Sequence, residues 1–198
     1  MFVDFFRDVI ARSVATRQSI CALMLALFFS SVSFAAEPAA RSVKMPLPAT
    51  IQDSLPWFAV FELQNDNAPF TRNHLKALAQ KSDRVALVYY ATWCIPCRVG
   101  LKQISTNLDG LAAAKTSIVL VNVGEREKDM ITKYLAKFSL DKVPAVVDPF
   151  GRMTEGFGLI KEGENIDLPR TIIIDKSMKP YVMIGAEGSD YMQILTGQ

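Results

Sequence analysis

The chain has 198 residues, half of them apolar, and a formal net charge of only +2. That length and apolar content are enough to bury one hydrophobic core, so we expect a single folded domain. No run of Lys and Arg interleaved with aromatic residues is present, so neither nucleic acid nor an anionic surface is indicated as a partner.

Residues 1–35 have the pattern of a secretory signal peptide. Three Arg residues precede an uncharged apolar stretch over residues 20–29, and the small residues Ser33 and Ala35 then stand at the minus-three and minus-one positions of a cleavage site after Ala35. No twin-Arg pair is present, which favours Sec export of the unfolded chain to the periplasm.

An uncleaved anchor is the alternative interpretation of this segment. Residues 19–36 are uncharged, and a bilayer is spanned by about 20 apolar residues. The protein would then face the periplasm from the inner membrane, and only this retained segment would contact the membrane. Cys21 lies at the start of the apolar stretch and would leave with a cleaved signal peptide.

Without residues 1–35 the chain is nearly neutral and keeps two of its three cysteines, both in one short motif. Such cysteine usage is not that of a disulfide scaffold, in which bridges join distant segments. Residues 36–54 contain three prolines and little periodicity, which predicts an extended, poorly packed tether. The folded domain is then expected over residues 55–198.

From Trp57 onward, segments typical of strands and of helices alternate. The predicted strands are 57–63, 84–90, 116–123, 143–148, 171–175 and 180–184. The predicted helices are a short one capped by Thr71, one from Pro96 with an apolar stripe to Leu111, one over 128–138, and a closing one over 190–195. The alternation predicts an α/β fold in which helices flank a mixed sheet.

The motif that carries chemistry is Cys94-Ile95-Pro96-Cys97, after the apolar strand 84–90 and at the start of a helix. A helix N-terminus favours an anion, so Cys94 is expected to point outward, to have the lower thiol pKa and to be the nucleophile. Cys97 is expected to be the resolving thiol, which attacks a mixed disulfide at Cys94. Arg98 could stabilise the thiolate further, or could be a solvated helix charge.

Other uses of this motif fit less well. A structural zinc site needs four ligands, and beyond the two cysteines only His74, in another predicted helix, is available. Covalent haem attachment needs His where Arg98 stands. A structural disulfide closing so short a loop would stabilise little. The sequence therefore predicts no metal and no cofactor beyond a redox-active Cys94–Cys97 disulfide.

Three segments in order resemble the thioredoxin superfamily and, within it, its TlpA/ResA-like exported branch. They are Tyr90 to Arg98, which contains the Trp-Cys-x-Pro-Cys motif; 121–125 with 147–151, similar to a central insertion of that branch; and Leu168 to Asp175. The resemblance covers residues 55–198. It implies a thioredoxin-like fold with an N-terminal extension and a central insertion.

The resemblance also implies that the Leu168–Pro169 peptide bond is cis, next to the disulfide, and offers a strand-like edge to a partner polypeptide. From composition alone, a trans proline at the start of a strand is the alternative. Trp93, Ile95 and Pro96 would line the rim of the site, although Trp93 read by itself could equally be a core residue.

The sequence departs from the family pattern at two positions. Val88 stands where thioredoxins hold a buried Asp and this branch often an Asn, and Gly100 stands where many members of the branch place a Glu. Those groups help move the proton of the buried thiol. Glu125 is our candidate for a replacement proton relay.

The resemblance implies a periplasmic dithiol reductant of disulfides in exported proteins, as in cytochrome c maturation, that accepts electrons from a membrane thiol donor. A thiol oxidant or isomerase is the enzymatic alternative. A non-catalytic assembly factor, which would hold a peptide in the same groove, is the alternative from another class.

Overall fold

A computed structural model of the protein describes residues 40–65, 68–160 and 164–198. The predicted signal peptide and the first residues of the predicted tether lie outside the described residues. Within them, no helix is both long and apolar enough to cross a bilayer.

In the described part of the chain, eight strands form one sheet in the order β1-β8-β7-β4-β5-β6-β2-β3. The strands are β1 (Val43–Met45), β2 (Ala59–Glu62), β3 (Pro69–Thr71), β4 (Arg84–Tyr90), β5 (Thr116–Val123), β6 (Ala145–Asp148), β7 (Arg170–Asp175) and β8 (Pro180–Ala186). The helices are α1 (Arg72–Lys81), α2 (Cys97–Thr106), α3 (Leu108–Ala113), α4 (Lys128–Ala136), α5 (Arg152–Gly156) and α6 (Tyr191–Thr196).

The sheet is mixed, as the sequence predicts. Strand β4 pairs in parallel with β5 and antiparallel with β7, and β5 continues in parallel to β6. The hairpin of β7 and β8 is also confirmed. Between β5 and β7 the chain adds α4, β6 and α5, which form the predicted central insertion.

Strand β4 separates two hydrophobic cores because successive side chains of a strand point to opposite faces. Ala86, Val88 and Tyr90 belong to the core that also contains both cysteines of the motif and the buried residues of α2, α3, α4 and α6. Val85 and its alternate neighbours belong to the second core, with residues of α1. Burial on both faces explains the continuous apolar run of this strand.

The prediction of a poorly packed tether is wrong for residues 40–54, its described part. Strand β1 pairs antiparallel with β8 at one edge of the sheet, and Ile51, in a 3₁₀ turn over Ala49–Ile51, is fully buried. The prolines that favoured an extended segment mark the ends of these short elements. Pro46 follows β1 and Pro48 precedes the turn.

The predicted helix from Pro96 to Leu111 is two helices in the structure. Asn107 has φ −130° and ψ 22°, which is not helical, and separates α2 from α3. Both helices still bury the predicted apolar stripe, which is why periodicity alone missed the break. The predicted strand 57–63 shortens to β2, and Trp57 is exposed outside it.

Thr71 is the N-cap of α1, as predicted. Its side chain and that of His74 form a capping box, in which the Thr71 N–H donates to Nδ1 of His74 at 3.1 Å. His74 therefore has a structural role at a helix end.

Candidate active site

The cysteine motif lies where β4 delivers the chain to one end of the sheet. The strand ends at Tyr90, and α2 begins at Cys97 with Pro96 as its N-cap. The carboxyl ends of strands in open α/β sheets are the usual place for binding and catalysis. The cysteine motif is therefore held between a buried strand, which precedes it, and the helix that begins at its second cysteine.

Cys94 and Cys97 form a disulfide with a Cα–Cα distance of 5.5 Å. The backbone N–H of Cys97 donates a hydrogen bond to Sγ of Cys94 at 3.2 Å. This N–H belongs to the first turn of α2, where backbone donors have no partner within the helix. The same donor and the helix dipole would favour a thiolate at Cys94 once the bond is reduced.

The expectation that Cys94 points freely outward is wrong for this oxidised structure. Cys94 is 3% exposed and Cys97 is 1% exposed. The exposed side chains around the disulfide are those next to the two cysteines. Trp93 is 63% and Ile95 69% exposed, and Pro96 is exposed as well. Trp93 is therefore not a core residue, and an apolar rim surrounds a nearly buried disulfide.

The Leu168–Pro169 peptide bond is cis. Arg170, the next residue, pairs with Tyr89 on β4, which places Pro169 at the same end of the sheet as the cysteine motif. Leu168 packs against the core that contains both cysteines. The Arg170 guanidinium donates to the carbonyls of Pro169 at 2.9 Å and Gly185 at 3.1 Å, which ties this loop to β8.

Glu125 contacts the turn that leads into the motif. Its Oε2 accepts hydrogen bonds from the backbone N–H of Thr92 at 2.9 Å and from Nδ2 of Asn122 at 2.6 Å, and its Oε1 accepts one from the Thr92 hydroxyl. A carboxylate that accepts three hydrogen bonds is held in one place. The geometry therefore supports a role for Glu125 in positioning the turn before Cys94.

The family model that matches the sequence is described as "AhpC/TSA family", and the match covers residues 51–179. The chain belongs to the AhpC/TSA family. No curated protein matches it significantly by sequence. With its fold and its disulfide, this family member is a thiol–disulfide oxidoreductase of the thioredoxin superfamily.

Solved structures similar to this AhpC/TSA protein share its fold at low identity. A thiol:disulfide interchange protein from Chlorobium tepidum is 20% identical, with a TM-score of 0.56 over 74% of this chain and 97% of its own. A secreted thiol-disulfide isomerase from Corynebacterium glutamicum is 19% identical, with a TM-score of 0.58 over 85% and 95%. A thioredoxin domain from Bacteroides vulgatus is 15% identical, with a TM-score of 0.57 over 74% and 96%.

Sequence reasoning missed one acidic residue of this AhpC/TSA protein, Glu187, which follows β8. A Cβ placed on Gly100 would overlap the Glu187 carboxylate carbon and lie 2.5 Å and 2.6 Å from its two oxygens. Burial raises the pKa of Glu187 to about 8, and the nearby Gly100 N–H only partly opposes this. The one available signal was a glycine inside a helix, which costs about 1 kcal/mol relative to Ala and so requires a packing reason.

Arg98 is exposed on α2 and lines a groove beside the motif with Thr92, Tyr134 and residues of α4. Burial raises the pKa of Tyr134, and the Arg98 charge partly opposes that effect. Among residues 40–65, 68–160 and 164–198, no group of three or more acidic, His or Cys side chains could hold a metal ion.

Proposed function

We propose that this protein is an exported dithiol reductant, which reduces disulfides in other exported proteins and receives electrons from a membrane thiol donor. The observation that carries the proposal is the Cys94–Cys97 pair at the start of α2, with the Cys97 N–H on Sγ of Cys94. Export rests on the sequence pattern of residues 1–35, whether that segment is cleaved or stays as an inner-membrane anchor facing the periplasm.

The exchange reaction follows from the arrangement of the two sulfurs. In the reduced protein, the Cys94 thiolate attacks one sulfur of the partner disulfide, forms a mixed disulfide and expels the partner's other sulfur as a thiolate. Cys97 then loses its proton and attacks Sγ of Cys94, which releases the partner's second sulfur. One electron pair has moved to the partner, and the Cys94–Cys97 disulfide remains for the electron donor to reduce.

The surroundings of the disulfide support a polypeptide as the partner. Trp93 and Ile95 expose apolar surface on the rim of the motif, and the cis bond at Pro169 lies at the same end of the sheet. Aromatic residues exposed beside a buried reactive group are typical anchors for a protein partner. Apocytochrome c, as the resemblance implies, is the substrate we propose to test first.

The direction of electron flow is tested by the redox potential of the pair. We expect equilibration with glutathione to give a potential more negative than about −200 mV, in the range of reducing thioredoxin-like proteins. The measurement follows the Cys94–Cys97 dithiol by alkylation and mass spectrometry. A potential near about −120 mV, typical of a strong oxidant, would contradict the reductant and favour the oxidant or isomerase.

A Cys94→Ala variant separates exchange from a holding function in a second experiment, an assay of partner reduction and maturation. If the protein is a reductant, this variant loses reduction of an apocytochrome c disulfide completely, while Cys97→Ala still captures the partner in a mixed disulfide. Unchanged activity of Cys94→Ala in promoting partner maturation would contradict exchange and favour the non-catalytic assembly factor.

A further inference from the structure

The carboxylate of Glu187 lies on α2 at the one helical position that has no side chain. Gly100 is buried, and any Cβ there would occupy the space of this carboxyl group. Glu187 reaches this place from the segment after β8, so the acid and the helix come from distant parts of the chain. Glycine at position 100 is what makes the contact sterically allowed.

Gly100 lies one helical turn after Cys97, on the same face of α2. Positions three apart in a helix have Cβ atoms about 5–6 Å apart. A carboxylate at the Cβ position of Gly100 is therefore within reach of Sγ of Cys97, directly or through one water molecule. Cys97 and Gly100 are both buried, so this exchange is screened from bulk solvent.

The environment of Glu187 is that of a proton carrier rather than of a structural ion pair. Both carboxylate oxygens are buried, and among the described residues neither accepts a hydrogen bond of good geometry. The groups that face it are the Gly100 N–H on α2 and Tyr191 on α6, whose hydroxyl is hydrogen-bonded to Thr171 on β7 at 2.9 Å. No basic side chain of the described residues contributes to the pKa of Glu187.

Glu187 can both accept and release a proton near neutral pH. Its pKa is raised to about 8 by burial, so both forms are populated near neutral pH. Tyr191 does not compete for the proton, since burial and the Glu187 charge raise the pKa of the Tyr191 hydroxyl. A group poised near the working pH is the most effective proton acceptor and donor.

We propose that Glu187 accepts the proton of Cys97 during resolution of the mixed disulfide and returns it when the dithiol is restored. The inference rests on the proposed exchange function and names the proton relay of that same site. The Cys97 S–H bond breaks, the proton passes to the Glu187 carboxylate, and the Cys97 thiolate attacks Sγ of Cys94 while the partner thiolate leaves. No additional oxidant or reductant is needed.

The experiment separates the two chemical steps with 5,5′-dithiobis(2-nitrobenzoate). The first thionitrobenzoate released by the reduced protein reports attack by Cys94, and the second reports resolution by Cys97. For Glu187→Gln we expect an unchanged first phase and a second phase slowed on the order of 100-fold at pH 7. Raising the pH should restore the second phase progressively, because a larger fraction of the Cys97 thiol is then already ionised without help from the acid.

Two further changes at position 100 keep the test independent of the folding of one variant. Gly100→Ala should displace the carboxylate and slow the second phase, as Glu187→Gln does. Gly100→Glu combined with Glu187→Gly moves the acid onto α2 and should recover most of the second phase. Glu127→Gln, at an exposed position, is the matched control and should react as the wild type does.

The outcomes distinguish this inference from the proposed function. A second phase within twofold of the wild type in folded Glu187→Gln, at every pH from 5 to 9, would overturn the role of Glu187 and leave exchange intact. Absence of a first phase in the wild-type protein would overturn both.

Discussion

At the scale of single residues, the two cysteines of the site come from one motif, whereas the buried acid Glu187 comes from the segment after β8. Cys94 and Cys97 were predictable because a Cys-x-x-Cys motif before a helix is a local pattern with few chemical uses. Glu187 was not, because its neighbour Gly100 is brought to it by packing between the end of β8 and α2. Val88 and Gly100 lack the acidic groups of the family pattern, and only the structure shows that the Glu187 carboxylate lies against Gly100.

Glu125 is expected to position the turn before Cys94 and not to carry the proton of Cys97. Three hydrogen bonds from Thr92 and Asn122 hold the Glu125 carboxylate against the turn before Cys94. We expect Glu125→Gln to weaken the Thr92 turn and slow attack by Cys94 about two- to tenfold, since hydrogen bonds to charged groups contribute about 1.5–3 kcal/mol and some contacts remain. The pH dependence of resolution by Cys97 should not change, and a changed pH profile in rapid-mixing kinetics would restore Glu125 as the relay.

At the scale of elements, the segment after β8 is fixed by Ser42, just before strand β1, and by helix α2. The Ser42 N–H donates to Oδ1 of Asp190 at 2.6 Å, and the Gly188 N–H donates to Oγ of Ser42 at 2.9 Å. Nε2 of Gln103 on α2 donates to the Gly188 carbonyl at 3.1 Å. The segment that was predicted to be a tether therefore holds the loop that carries Glu187.

Gly188→Ala is expected to break this arrangement. A Cβ on Gly188 would overlap backbone atoms of residues 40–42, which cannot move aside as a side chain end can. We expect a loss of about 1–3 kcal/mol in the free energy of unfolding, measured with urea. The control is Gly110→Ala in α3, where the added Cβ meets nothing within 4 Å and helix propensity favours Ala by up to about 1 kcal/mol. Equal stabilities of the two variants would contradict the close packing at Gly188.

The central strands were predictable and the outer ones were not, for a physical reason. Strands β4, β5 and β7 are buried on both faces, so their sequences are continuous apolar runs, which can be recognised as strands from the sequence. Strands β1 and β3 have three residues each and depend on hydrogen bonds from a neighbouring strand, which is the distant β8 for β1 and the preceding β2 for β3. No local pattern of that length can predict them.

At the scale of the whole molecule, one buried acid makes folding depend on pH. The pKa of Glu187 rises from an ordinary value of 4.5 to about 8 on folding, so the folded protein binds its proton more tightly than the unfolded chain does. The contribution of the protonated form to stability is complete below about pH 4.5 and is lost as pH rises through about 8.

We therefore expect oxidised wild-type protein to lose stability relative to Glu187→Gln between pH 5 and pH 8.5, on the order of 2–4 kcal/mol. Urea unfolding of both proteins across this range measures the difference directly. Parallel stability curves would show that the Glu187 carboxyl group is solvated in the folded protein.

The two outermost strands of the sheet have a consequence for how another chain could dock. Strand β3 starts with Pro69, and β1 pairs with β8 through an irregular register next to Val43. Edge strands that are short or irregular offer few free backbone groups to an incoming strand, and they also disfavour self-association. A client polypeptide would then find its main-chain hydrogen bonds at the Pro169 loop in the interior of the sheet, where the reactive sulfur is, rather than along the flanks.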